Sequence, residues 1–307
     1  MLDNSGSMSS KLYNSVEVYY PLDVATDSSG NVYVMEYHNN RIKVFDSSGA
    51  YLRSFGGYGY GCTTNGRQAT WNYARQFDIY NDKIYLADTY NHMISIINLD
   101  GTCNANVNAL YVYPHSIAVG SSYFYVGYTN SNLSIHWNNG PIINGFYHHQ
   151  LNYSWGMSLN SAGNKLAVAS YSNNMVAEFN VSGQSLSFNQ VVGSGYSSSN
   201  GFFRRPMDTG YDSSGNIYAL DLYNHRIQKF DSSLTYQTKT GSYSISSGFR
   251  YPYGMHIDSS DNIYVTDYYN FAVRKYNTSL TETATYGGGV GTRLDAANKV
   301  IKKIVSN

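Results

Sequence analysis

Apolar residues along this chain come in short bursts separated by turns rich in Asp, Ser, Asn and Gly. The clearest stretch reads Leu22-Asp23-Val24-Ala25-Thr26, a DSSGN turn, Val32-Tyr33-Val34-Met35, an Asn-containing connection, Ile42-Lys43-Val44-Phe45, a second DSSG turn and Tyr51-Leu52-Arg53-Ser54-Phe55. Short runs bounded by such turns predict four antiparallel strands joined by tight connections. The second run is apolar on both faces, as expected where other sheets pack on either side of it.

The pattern returns almost intact, since DSSGNVYVMEYHNNRIKVFDSSG at 27-49 reappears as DSSGNIYALDLYNHRIQKFDSS at 212-233. Weaker copies begin near Asn81, Ser121, Ala162 and Ser260, which makes six units. Their registers are marked by Tyr33, Tyr85, Phe124, Ala167, Tyr218 and Tyr264, at spacings of 39 to 52 residues. Six residues after each marker stands an asparagine: Asn39, Asn91, Asn130, Asn173, Asn224 and Asn270. An aliphatic residue follows nine after the marker, from Ile42 to Val273. Four short strands in units of about 40 to 50 residues is the arithmetic of a propeller blade. The expected fold is therefore all-β, a single six-bladed β-propeller of four-stranded antiparallel blades with short N- and C-terminal extensions. Blades are placed at about 20-57, 74-108, 112-147, 154-193, 205-241 and 251-287, with extensions at 1-19 and 288-307. Closing the ring buries sheet faces that an open array leaves bare, and puts the marker side chains between blades. Residues 288-307 carry apolar positions at helical spacing. The β-rich Val16-Tyr20 is spare, because Thr281-Tyr286 is expected to supply the last strand of blade 6.

These residues resemble the NHL repeat. The stretch YPLDVATDSSGNVYVMEYHNNRIKVFDSSGAYLRSFG at 20-56 looks like a full unit of that family, and RPMDTGYDSSGNIYALDLYNHRIQKFDSS at 205-233 nearly one. Blades 3 and 4 depart most, with Gly127 and Ser170 where the others have an acidic residue, and Ala167 for the aromatic marker. The resemblance implies the fold but spans several functions: RNA-binding modules, protein scaffolds, bacterial sensor domains and a zinc-dependent lyase acting on peptidyl-hydroxyglycine.

Composition narrows these. Twenty Lys and Arg balance twenty Asp and Glu, and charged residues make up only 13% against 33 tyrosines in 307 residues. Clustered positive charge, the source of affinity for phosphate backbones and anionic lipid, is missing, so nucleic acid is not an expected partner. No apolar run approaches the roughly 18 residues of a membrane span. Two cysteines, Cys62 and Cys103, define no disulfide framework, and the blade arithmetic places them at opposite ring faces, unbonded. Sequons at Asn132, Asn152, Asn180 and Asn277 are glycosylation candidates in an exported chain. With the low charge they favour an extracellular or cell-surface setting, the cytoplasm being the alternative.

Four groups carry candidate chemistry. The sets Glu36-Asn39-Arg41 and Asp221-Asn224-Arg226, and Asp88-Asn91 and Asp267-Asn270 without the arginine, read as structural loops in which Asn turns left-handed and the carboxylate accepts loop amides. Asp23, Asp78 and Asp208, with Ser116, Met157 and Gly254, are assigned equivalent inner-strand positions around the channel. Three carboxylates there suit calcium, although no cofactor is expected. His115 in YPHSIAV looks like a ligand motif of the zinc lyase, but Leu22, Phe77, Gly156, Met207 and Tyr253 at its equivalents cannot complete a zinc site. Tyr37, His38, Arg41, Tyr90, His92, Tyr223, His225, Arg226, Tyr268 and Tyr269 form a candidate binding rim, aromatic with polar tips, suited to protein or glycan. Asp3-x-Ser5-x-Ser7 resembles the metal-dependent adhesion motif of von Willebrand A domains, without the rest of that site. The expected function is a non-enzymatic binding or assembly module acting through its face loops and terminal extensions, with protein partners including further copies of itself. A metal-dependent lyase or hydrolase using the channel is the alternative, and single-stranded RNA binding the third reading.

Overall fold

The computed structural model describes residues 17–62, 66–138, 140–245 and 247–287. The Asp3-Ser5-Ser7 motif and the helical spacing of 288-307 lie outside the described residues. Six separate four-stranded antiparallel sheets, each ordered as its strands occur in the chain, make six blades. Blade 1 is Pro21–Thr26, Val32–Glu36, Arg41–Phe45 and Tyr51–Gly56. Blade 6 is Pro252–Ile257, Ile263–Asp267, Ala272–Tyr276 and Glu282–Gly287. Within a blade, burial falls from the inner strand outward. Val32–Glu36 is buried throughout, whereas Glu282–Gly287 is mostly exposed. The markers Tyr33, Tyr85, Phe124, Ala167, Tyr218 and Tyr264 are all buried. Tyr85 donates to Asn138 O of blade 3 and Tyr218 to Thr278 O of blade 6, so these rings and their hydroxyls join neighbouring sheets. No helix among the described residues is long and apolar enough to cross a membrane.

One device repeats in blades 1, 2, 5 and 6. The carboxylate ending the second strand is buried and accepts the amide of the loop leading into its own blade. Glu36 takes Tyr19 N at 2.9 Å, Asp88 takes Asn72 N at 2.9 Å, and Asp221 and Asp267 take Arg204 N and Arg250 N at 2.7 Å. Its other oxygen receives the asparagine three residues on, Asn39, Asn91, Asn224 or Asn270, at 2.8 Å. Arg41 and Arg226 close the clamp on Glu36 and Asp221. Two expectations change. The left-handed residue is not the asparagine but the one after it, Asn40, His92, Asn174, His225 or Phe271, because the asparagine amide is committed to the carboxylate or, at Asn173, to loop carbonyls. Blade 6 does have its arginine. Arg274 reaches Asp267 at 2.8 Å from two residues further along the third strand than Arg226, where period two keeps it on the same face.

Residues 17-20 are not spare. Val18 is buried beneath Gly287, where an added Cβ would lie 2.3 Å from Val18 Cγ2, and Lys43 Nζ donates to Glu17 O. Trp71 sits on Gly56, Phe203 on Gly193 and Phe249 on Gly241 in the same way, so Val18 performs for blade 6 what an aromatic performs elsewhere. Both cysteines are free thiols, and they are neighbours, not residents of opposite faces. The loop after blade 1 runs down the outer edge of blade 2, pairing Gln68 with Thr102 and Gly66 N with Cys103 O. This brings Cys62 against Cys103, and burial together with that neighbour pushes the Cys62 thiol up.

Candidate functional site

The inner strand of every blade is preceded by a residue held in the left-handed region: Tyr20, Tyr73, Tyr113, Tyr153, Arg205 and Tyr251, with φ between 48° and 63°. Such a conformation costs a non-glycine residue roughly 1 kcal/mol, and it recurs once per blade on one face. The six are five tyrosines and an arginine. Two residues later stand Leu22, Arg75, His115, Trp155, Met207 and Tyr253, which form the first layer of the channel mouth. This register corrects the sequence alignment, which had Phe77 and Gly156 where Arg75 and Trp155 belong.

Aromatic rings make a nearly continuous surface around this mouth. Tyr20 meets His38 edge-on at 4.9 Å and Tyr268 at 5.1 Å, while Tyr37 meets Tyr73 at 5.1 Å and Tyr73 meets Tyr90 at 6.0 Å. On the far side Tyr153 stacks on Trp155 at 5.4 Å, Trp155 meets Tyr253 at 6.1 Å, and Tyr253 meets Tyr268 at 4.7 Å. The Arg75 guanidinium lies 4.6 Å from the ring centre of Tyr37 and 5.4 Å from that of Trp155, spanning blades 1 and 4 from blade 2. Arg205 and Arg250 lie over Tyr171 and Tyr269 at 4.8 and 5.5 Å. His115 is buried, with its ring 4.4 Å from Trp155 and 4.9 Å from Tyr153. Burial, then the Arg75 charge, pushes His115 down to about 3, so the imidazole is neutral at pH 7.

One residue deeper lie Asp23, Gln76, Ser116, Gly156, Asp208 and Gly254. Asp78 and Met157, assigned to this layer from sequence, belong further down: Asp78 faces Tyr85 across its sheet as Ala25 faces Tyr33, two positions beyond Asp23. The carboxylates here tie each blade to the next. Asp23 accepts Phe77 N, Asp208 accepts Met255 N and, lower, Asp78 accepts Val119 N, each at 2.8 Å. Gln76 does the same for Ile117 N at 2.9 Å, and its amide crosses to Asp208 at 3.2 Å. Gly156 and Gly254 make room, since a Cβ there would fall 2.2 Å from Asp208 Oδ1 and 2.5 Å from Asp23 Oδ1. Burial raises all three acids: Asp23 well up with help from the Asp208 charge, Asp208 to about 8 and Asp78 to about 6. Below them a cavity of about 360 Å³ is lined by Asp23, Asp78, Asp208's neighbour Thr209, Met255 and His256. Among the described residues no group of three or more His, Cys, Asp or Glu side chains is placed to hold a metal ion.

The predicted rim divides. Tyr90, Tyr223 and Tyr269 are exposed, and His38 lies at the mouth with its Nε2 3.0 Å from Tyr268 Oη. His92 and His225 use Nδ1 to accept the amides of Tyr113 and Tyr251, so they orient the left-handed tyrosines. Arg226 is buried in its clamp and Arg41 is paired with Glu36. Tyr268 is buried and supports the floor, with Tyr37 half-buried beside it. Of the sequons, Asn152 and Asn277 are exposed, while Asn132 and Asn180 are half-buried in strands.

With this geometry established, the class is plain: a six-bladed β-propeller of four-stranded antiparallel blades. The NHL repeat family model matches residues 18–45 and 203–230. No curated protein matches the sequence. Among solved structures the fold resembles a streptogramin B lyase, 13% identical over 90% of this chain and 85% of that one, with a TM-score of 0.62. It is similar to virginiamycin B lyase from Staphylococcus aureus, at 13% identity over 89% and 85% with a TM-score of 0.60. A protein of unknown function from Bacteroides thetaiotaomicron is 12% identical over 84% and 69%, with a TM-score of 0.64. At these identities the likeness concerns the fold.

Proposed function

We propose that this propeller is a non-enzymatic binding module that takes a protein ligand on its tyrosine-rich channel mouth. The observation that carries the reading is the set of six left-handed residues, five of them tyrosine, that present a common aromatic surface at the blade lead-ins. Tyrosine offers contact area, few rotamers and a polar tip, and it dominates the energetics of many protein contacts. Exposed Tyr58, Tyr90, Tyr113, Tyr223, Tyr243 and Tyr269 extend the surface outward. Low charge on the chain favours an apolar, stacking mode of recognition over electrostatic capture. An extracellular setting and self-association belong to the same reading.

The test is selection from a random peptide library against the intact chain. Recovered peptides should lose roughly tenfold or more in affinity for a Tyr90→Ala, Tyr223→Ala, Tyr269→Ala triple variant. Equal binding by that variant, with an unchanged melting curve, would sink the proposal. The second reading, lyase or hydrolase chemistry in the channel, rests on the cavity carrying Asp23, Asp78 and His256. Turnover of a streptogramin that vanishes in Asp78→Asn would favour it.

A further inference from the structure

We propose that Arg75 and His115, walled by Tyr37, Tyr153 and Trp155, form a carboxylate-binding subsite at the centre of the mouth, for a ligand whose acid group is attached to a flat aromatic body. This rests on the reading of the mouth as the ligand face and names the chemistry at its centre. Arg75 Nε is buried without a hydrogen-bond partner, and the ring nitrogens of His115 are buried with only the Trp155 backbone in reach. No carboxylate pairs with Arg75 among the described residues, whereas the more deeply buried Arg226 and Arg274 each hold one; Arg53 and Arg204 share the unpartnered buried Nε, but neither has a buried histidine beside it. A buried donor left without a partner costs about 1 to 3 kcal/mol, more for a charged group, so the Arg75 Nε–H and the single N–H of neutral His115, both beside Trp155, indicate an acceptor that arrives from outside.

The acceptor's chemistry follows from the donors. A guanidinium is a planar fork that matches a carboxylate bidentately, and a neutral imidazole adds one N–H. One cation beside one neutral donor balances a single negative charge, which disfavours a phosphate dianion. Burial raises the acids one layer deeper, Asp208 to about 8 and Asp23 well above the ordinary carboxylate range, which weakens their repulsion of this charge. Ring faces of Tyr37 and Trp155 already hold the guanidinium in place, which spares a bound ligand part of the ordering cost. Around this centre most side chains are aromatic, with Leu22 and Met207 completing the layer, so a flat apolar body directly attached to the acid is the shape that fits.

Such chemistry can come from a free aromatic acid or from a polypeptide ending in an aromatic residue. Calorimetry with N-acetyltyrosine, N-acetyltyrosinamide, a short peptide ending in Tyr and its C-terminal amide separates them. Each acid should bind roughly tenfold or more tightly than its amide, and Arg75→Gln should abolish that preference while leaving the melting curve in place. Arg75→Lys, which keeps the charge without the fork, should retain only part of it. Tighter binding of the peptide than of N-acetyltyrosine assigns the site to chain termini, and equal binding assigns it to the free acid. Equal affinity for acid and amide overturns the subsite, as does an acid preference that survives Arg75→Gln or displacement of the acid by inorganic phosphate at equal concentration. If the library peptides still depend on Tyr90, Tyr223 and Tyr269 while acid and amide bind alike, the carboxylate subsite falls alone. If neither peptides nor acids bind, both readings fall.

Discussion

Blades 1, 2, 5 and 6 secure their lead-in loops with a buried carboxylate, whereas blades 3 and 4 do so with a hydroxyl. In blade 4 Ser170 Oγ accepts Asn152 N at 2.9 Å, and in blade 3 Tyr128 Oη accepts Leu110 N at 3.1 Å and pairs with Ser134. What the junction requires is therefore an acceptor for one loop amide, and charge is an addition to that requirement. The addition has a cost, because a carboxylate taken from water must be compensated by Asn and Arg donors. The two matched NHL segments each carry a charged clamp, and the neutral pair of blades contributes His115 and Trp155 to the mouth. Part of the proposed subsite thus comes from the two blades that depart most from the repeat, while Arg75 and Tyr37 come from blades that keep the carboxylate.

The difference can be broken from either side. Asp221→Ala leaves the Arg226 guanidinium buried and uncompensated, and should destabilise by about 3–5 kcal/mol in denaturant unfolding. If the cost matched that of Ser170→Ala, the charge in the clamp would count for nothing. Asp88 sharpens the contrast, since its clamp has no arginine and burial raises it to about 7. Its folded pKa lies above the unfolded value of about 3.9, so its contribution is fully present below that value and is lost as pH rises toward 7. Asp88→Asn should remove that slope, with a difference from wild type that grows by roughly 2–4 kcal/mol between pH 4 and 8. Asp78 and Asp208 act in the same sense, and the buried neutral His115, His136 and His256 oppose them below about pH 6.5, so the wild-type minus variant difference is the informative quantity. A difference flat across that range would show Asp88 already ionised. Ser170→Ala, which leaves one amide unpaired, should cost about 1–2 kcal/mol with no pH dependence. The smallest change is expected at Cys62→Ser, buried beside Cys103. Intact mass with and without reductant should be the same for wild type, and a two-hydrogen deficit without reductant would show the pair oxidised.

The repeat, the six blades and the between-blade rings were legible because each rests on spacing within one short hairpin. What escaped has longer reach. The Asp78 position was misread because an acidic residue in the short strand Phe77–Tyr80 looked like the partner of Asp23, when the bulged lead-in puts Gln76 there. Arg274 escaped because residues two apart on a strand share a face, which a fixed offset from the marker ignores. The Arg75–His115 pair joins residues of different blades, so no local pattern announces it. A signal was nonetheless present: Tyr20-Pro21-Leu22, Tyr73-Ala74-Arg75, Tyr113-Pro114-His115, Tyr153-Ser154-Trp155, Arg205-Pro206-Met207 and Tyr251-Pro252-Tyr253 align, and their third members form the mouth.

Every blade takes its four strands from one unbroken stretch of chain, and this governs how the ring comes together in time. Hairpins within a blade need only short loops to close, while the seam between blades 6 and 1 joins Thr26 to His256 and Thr266 to Leu22, separations of 230 and 244 residues. Among the described residues no exchanged strand stitches that seam, so its closure pays the largest loop entropy for contacts made through side chains. It behaves as the clasp of the ring: amides along Pro21–Thr26 and Pro252–Ile257 are expected to exchange with solvent through a lower-energy opening than their counterparts in blades 2 to 5.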